Sequence, residues 1–114
     1  ALCALAASVY LCCLGKNLQK LAELNVYKAR YQKEKLLALP GWVAPFDGPV
    51  YNEFVLNCPD SGRVNAAWQE ADIIGGYALH KNYPELSNGL VLCATEMLNN
   101  DDIERAVAVA ATIR

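Results

Sequence analysis

Chemistry in this 114-residue chain could rest on three short polar or glycine pairs set in apolar surroundings: Asn52-Glu53, Gly75-Gly76 and Thr95-Glu96. Polar residues that interrupt a strong local pattern are where a site or a special contact is commonly found. An amide beside a carboxylate, as in Asn52-Glu53, can hold a ligand or a partner, and it can equally sit in water at a sheet edge. Paired glycines let a backbone approach a phosphate, although no helix follows Gly76 to supply the dipole. The same pair serves a turn that needs positive φ. Thr95-Glu96 follows the carboxyl end of an apolar run, a common place for site residues, or it begins the turn beyond it.

Nothing else in the sequence adds a reactive set. His80 is the single histidine and has no cysteine cluster near it, which argues against a metal site built on it. Cys58 and Cys93 lie inside apolar runs, so no Cys-His or Ser-His-Asp arrangement can be placed. No residue is therefore assigned a catalytic, cofactor-binding or metal-ligating role. The three pairs stand as candidates for a cleft or an interface.

The elements that must position them can be read from periodicity. Pro49 to Pro59 reads as a strand, with Tyr51, Glu53, Val55 and Asn57 on one face and Val50, Asn52, Phe54, Leu56 and Cys58 on the other. Trp42–Phe46 reads as a second strand, joined to it in a hairpin through Asp47-Gly48-Pro49. Tyr77–Leu79 is a short extended piece, His80–Asn88 a polar loop, and Leu90–Thr95 a continuous apolar strand. Helices are expected over 2–14, from Asn17 to Leu39, from Arg63 to Ala71 and from Asp101 to Arg114. Asp60 or Ser61 caps the third and Asn99 or Asn100 the fourth. An α+β fold follows, an antiparallel sheet of three or four strands with helices on one face.

Composition limits the reading further. The length allows a single domain, residues 1–114, with 1–39 as a helical lead-in and 40–114 as the sheet and its helices. A net charge of −2 implies no general affinity for nucleic acid or anionic membranes, although residues 16–35 hold six basic and two acidic side chains. The first 14 or so residues are apolar but too few to span a bilayer, so a buried helix is expected there, its face meeting another domain or subunit. Five cysteines without a Cys-x-x-Cys spacing point to reduced, buried thiols and a cytoplasmic protein. A chain that starts inside a helical pattern, without methionine, is expected to be a fragment of a longer one.

Several stretches occur in an order that fits a known family. They are the opening Ala-Leu-Cys-Ala-Leu-Ala-Ala-Ser-Val-Tyr-Leu, then Phe46-Asp47-Gly48-Pro49 with Tyr51-Asn52-Glu53-Phe54-Val55, Ile74-Gly75-Gly76-Tyr77, Tyr83-Pro84, and Leu92-Cys93-Ala94-Thr95-Glu96. Together they resemble the C-terminal region of the alpha subunit of the glycine decarboxylase P-protein family. The resemblance implies the small C-terminal domain of an aspartate-aminotransferase-like, pyridoxal-phosphate-dependent fold. It implies a reaction that decarboxylates glycine and passes the aminomethyl group to the lipoyl arm of the H-protein, with a beta subunit as partner.

Two departures bear on that implication. No lysine here lies in a motif resembling the one that binds pyridoxal phosphate in the beta subunit. Arg30, Arg63, Arg105 and Arg114 all fall on or at the ends of helices, not where aminotransferase small domains grip a substrate carboxylate. The fragment alone is expected to be inactive. Two other readings stay open, the small domain of an aminotransferase or desulfurase and a free-standing α+β binding or dimerisation module.

Overall fold

The computed structural model describes residues 1–113, and the expected end of the last helix at Arg114 lies outside them. Helix α1, Leu2–Leu14, has the expected bounds. Gly15 takes φ 51°, but the chain does not turn away there; one 3-10 turn over Gly15–Asn17 leads directly into α2, Leu18–Leu37. The two helices form an arm, and the molecule measures 46 × 30 × 30 Å.

No residue of α1 is buried within this chain, the burial expected of it being against another domain or subunit. Leu2, Leu5 and Val9 are 79%, 61% and 55% exposed, since no other described part of the chain covers them. By length and composition alone, the joined stretch Leu2–Leu37 could cross a membrane. Its continuously apolar part is the 13-residue α1, about 20 Å at 1.5 Å per residue against roughly 30 Å of hydrocarbon. Lys16, Lys20 and Glu23 follow it at once.

The body is a three-stranded antiparallel sheet in the order β1-β3-β2, formed by Glu53–Asn57, Gly89–Cys93 and Tyr77–Ala78 respectively. Strand β1 is shorter than the run from Pro49 to Pro59, because its ladder partner offers only Gly89 to Cys93. Its faces are as the alternation requires: Phe54 and Leu56 are buried, and Glu53 is exposed.

Trp42–Phe46 is not a strand. Only Val43 pairs, exchanging both backbone bonds with Asn57 at 3.0 and 2.9 Å. Pro45 has no N–H to extend the ladder. Gly41 enters this segment at φ 81°, and a Cβ on it would stand 2.9 Å from Pro59 Cγ.

Helix α3, Ser61–Glu70, is capped by the Asp60 side chain, which accepts from the Arg63 N–H. Helix α4, Asn100–Ala110, begins with a capping box in which Asn99 and Asp102 satisfy each other's backbone N–H. Val64 and Trp68 of α3, Ile103, Val107 and Ala110 of α4, and Ala29 and Leu36 of α2 close over Phe54, Leu56, Leu90 and Leu92. Each large side chain buried there contributes about 1.5–3 kcal/mol of apolar transfer. Trp68 fixes the arrangement, donating its indole N–H to the Ala106 carbonyl at 2.8 Å in the core.

The thiols are not uniformly buried. Cys3, Cys12, Cys13 and Cys93 are exposed and only Cys58 is buried. The first three ride on the uncovered α1, and Cys93 falls on the open face of the sheet. The Cys58 S–H points to the Asn88 carbonyl at 3.4 Å, and burial pushes its thiol up to about 11. A folded-state value above the ordinary 9.0 means stability that is full below pH 9 and lost as pH rises through about 11. Urea unfolding is expected to show a loss on the order of 2–3 kcal/mol across that window. Cys58→Val should flatten that part of the profile, and a variant with the parent's slope would refute the assignment.

Candidate functional site

The fold gathers all six candidate residues around one end of β3, the end at Cys93. Glu53 stands directly opposite Cys93 in the β1–β3 ladder, and the Asn52 carbonyl accepts the Ala94 N–H at 2.9 Å. Thr95 and Glu96 follow at once along the chain. On the other flank Gly75 lines a small cavity with Cys93. A rim forms in which two carboxylates, one hydroxyl and one thiol stand within three residues of a strand end.

Each candidate behaves in a definite way. Glu53 is exposed and Asn52 half-buried, so the amide uses its backbone for the ladder and the carboxylate faces outward. Thr95 opens a turn: its hydroxyl accepts the Met97 N–H at 3.3 Å and its carbonyl the Leu98 N–H at 3.2 Å. Burial and the charge of Glu53 push the Cys93 thiol up, which keeps it protonated and a poor nucleophile. Among the described residues no group of three His, Cys, Asp or Glu side chains could hold a metal ion.

Gly75 and Gly76 serve close approach. Among the described glycines, positive φ occurs at Gly15, Gly41 and Gly48 and at neither of these two. A Cβ on Gly75 would lie 2.1 Å from Asn65 Oδ1 and 2.9 Å from the Trp68 ring. One on Gly76 would lie 2.8 Å from the Val91 carbonyl oxygen. The backbone threads between β3 and α3, and only glycine passes.

Asn65 holds it there, a residue that local pattern gave no reason to single out. Its Nδ2 donates to the Gly76 carbonyl at 2.9 Å and its Oδ1 accepts the Gly76 N–H at 3.0 Å. Asn65, Gln69, Asp72 and residues 73–76 border an open cleft of about 590 Å³. Asp72 in that border has φ 55°, and Ile74 is wholly exposed.

A second polar centre, between α2 and α4, went unread in the sequence. Lys28 is buried and donates to Asn100 Oδ1 at 2.7 Å. Lys35 pairs with Glu104 at 2.7 Å, and the Tyr31 hydroxyl donates to the same carboxylate. Those two donors hold Glu104 below the usual carboxylate range. The ion pair seen among the described residues is therefore between helices. The spacing of Tyr27, Lys28, Tyr31 and Lys35 on one face was the available signal.

No family model matches the chain. Individual proteins do. "Probable glycine dehydrogenase (decarboxylating) subunit 1" of Thermomicrobium roseum is 46% identical over 108 residues, 93% of this chain and 24% of that protein. The protein of the same name in Desulfitobacterium hafniense is 43% identical over 116 residues, 100% of this chain and 26% of that protein.

The chain is homologous to glycine dehydrogenase (decarboxylating) subunit 1.

It spans about a quarter of the length of these subunit 1 relatives. In three dimensions it is similar to a crystal structure of glycine decarboxylase (P-protein) of the glycine cleavage system in inhibitor-bound form. There the TM-score is 0.81 at 26% identity, over 93% of this chain and 24% of that one. AtS13 from Actinomadura melliaura shares the fold at a TM-score of 0.65 and 15% identity, over 82% of this chain and 31% of that one. The α+β fold class expected from the sequence is the one found.

Substitution at the glycines tests the close approach. Gly76→Ala is expected to cost about 1–3 kcal/mol, since a backbone oxygen cannot move aside. Gly62→Ala serves as the control, because in α3 the new methyl meets only Asp60 Oδ1 at 3.4 Å. It should raise stability by about 0.5 kcal/mol. Equal effects in chemical denaturation would show that approach to β3 does not explain Gly76.

Proposed function

We propose that this chain is a structural segment of the alpha subunit of a glycine decarboxylase, within the glycine cleavage system. The observation that supports it most is 46% identity to a subunit 1 relative across 93% of the chain. On this reading the whole enzyme decarboxylates glycine and passes the aminomethyl group to the lipoyl arm of the H-protein. Pyridoxal phosphate supplies the electron sink for that chemistry.

The side chains here do not fit that cofactor. A lysine that holds it must be free and aimed into a cleft. Lys28 is spent on Asn100 and Lys35 on Glu104. Lys16, in the turn before α2, Lys20 and Lys81 are exposed, and Lys33 is half-buried in a cleft against Pro49 and Val50 that none of the six rim residues lines. We therefore assign the cofactor to the beta subunit, and to this chain the tasks of packing, subunit contact and one wall of the cleft. Asn52, Glu53, Gly75, Gly76, Thr95 and Glu96 form the rim that would face that contact.

The exposed α1 has a place in the same reading. Residues 1–39 act as a helical lead-in and 40–114 as the folded body of one domain. Leu2, Leu5, Val9 and Leu11 present an apolar surface too large to leave in water. The rest of the subunit, about three quarters of its relatives' length, would cover it.

The reading is tested with the full-length polypeptide that carries this chain. Mixed with the candidate beta subunit and lipoylated H-protein, it should support glycine-dependent bicarbonate exchange, and omission of either subunit should abolish it. Absence of exchange with every candidate partner would reject the assignment. The isolated chain is expected to self-associate through α1, or to bind an apolar dye, and truncation before Gly15 should remove that behaviour. A monomeric, dye-silent chain would show that α1 is not an interface.

A further inference from the structure

Three buried side-chain atoms find no partner among the described groups of the protein: Gln32 Oε1, Trp42 Nε1 and Asn57 Oδ1. Of these, Gln32 lines a cavity. It is 7% exposed, and it faces a space of about 50 Å³ bounded by Trp68, Leu92 and Ala106 on the core side and by Ile74, Gly75 and Cys93 toward the surface. The register of the sheet explains why a space lies there. Tyr77 faces Val91 and Ala78 faces Leu90. Continued, that register would set Gly76 opposite Leu92 and Gly75 opposite Cys93.

The ladder does not continue. Gly76 turns both backbone groups away from β3, to Asn65, and Gly75, whose groups would face Cys93, makes no backbone hydrogen bond to it and lies against Asn65 and Trp68 of α3. The chain has left the sheet for the helix, and β2 and β3 part like an opened zip at Gly75 and Cys93. The cavity is the wedge between them.

We propose that this wedge is a binding site for one ordered water, which donates to Gln32 Oε1 and joins the parted strands. A water needs roughly 10–15 Å³ and two to four polar partners. Gln32 Oε1 supplies an acceptor. Ile74 and Gly75 take no part in the loop and turn backbone hydrogen bonds, so their amides and carbonyls are available. The apolar walls, Trp68 and Leu92 among them, prevent Gln32 from reaching bulk solvent instead.

Two measurements test the site. A high-resolution crystal structure of the full-length subunit should show an ordered water within hydrogen-bonding distance of Gln32 Oε1, and a dry wedge would overturn the proposal. Gln32→Met keeps the volume and removes the acceptor. If the water is held, the variant should lose it, and its folded-to-unfolded ratio should fall by roughly fivefold. If the acceptor is merely orphaned, its removal is neutral or stabilising. A Q32M protein as stable as its parent would therefore also overturn the proposal.

Discussion

The hydrogen bond from the Trp68 indole to the Ala106 carbonyl is the fixed point of this structure. A carbonyl in the middle of a helix already accepts from its own backbone, so a second donor must come from a side chain held rigidly against it. Trp68 is held that way, tilted against Trp42 at 6.3 Å between ring centroids. With α3 and α4 locked together, their apolar faces form a lid of fixed shape over β1 and β3. The same indole sets how near residues 73–76 can come, and so where β2 begins. A buried donor left unpaired costs about 1–3 kcal/mol, which makes any other placing of α4 expensive.

The polar contacts between α2 and α4 act differently. Lys28 with Asn100, and Lys35 and Tyr31 with Glu104, add little energy where they meet water. They do specify register. Sliding α4 by one turn would strand the buried Lys28 ammonium without an acceptor. Apolar packing supplies the cohesion, and this short polar seam selects one alignment from several of similar area.

How much of this was legible depended on the range of the interaction. Elements set by contacts within four residues were readable: α1 to the residue, the Asp60 cap, the Asn99 cap, and the alternation of Phe54 and Leu56 against Glu53. Elements set by distant partners were not. Trp42–Phe46 has the composition of a strand, yet its pairing stops at Val43, and β1 is trimmed by a partner more than 30 residues away. Gly75-Gly76 was readable as special, but its reason lies in Asn65 and Val91, which no local pattern connects. Exposure of the α1 thiols was equally hidden, since apolar composition says that a surface should be covered, never by what. The six rim residues came together because they were chosen near strand ends, and an antiparallel sheet brings strand ends to one place. The family resemblance supplied what periodicity could not, a reason for those particular pairs to occur in that order.

The paired bonds between Asn65 and Gly76 have a consequence for association. A primary amide carries the same donor and acceptor as a peptide unit, so Asn65 presents to Gly76 what a neighbouring strand would present. Strand β2 is the outer strand of the sheet, and an outer strand with free backbone groups recruits extended segments from other molecules. At Gly76 those groups are already engaged by a side chain anchored on a helix, which cannot add a further strand. That part of the edge, next to Tyr77, is thereby closed from within by a single asparagine.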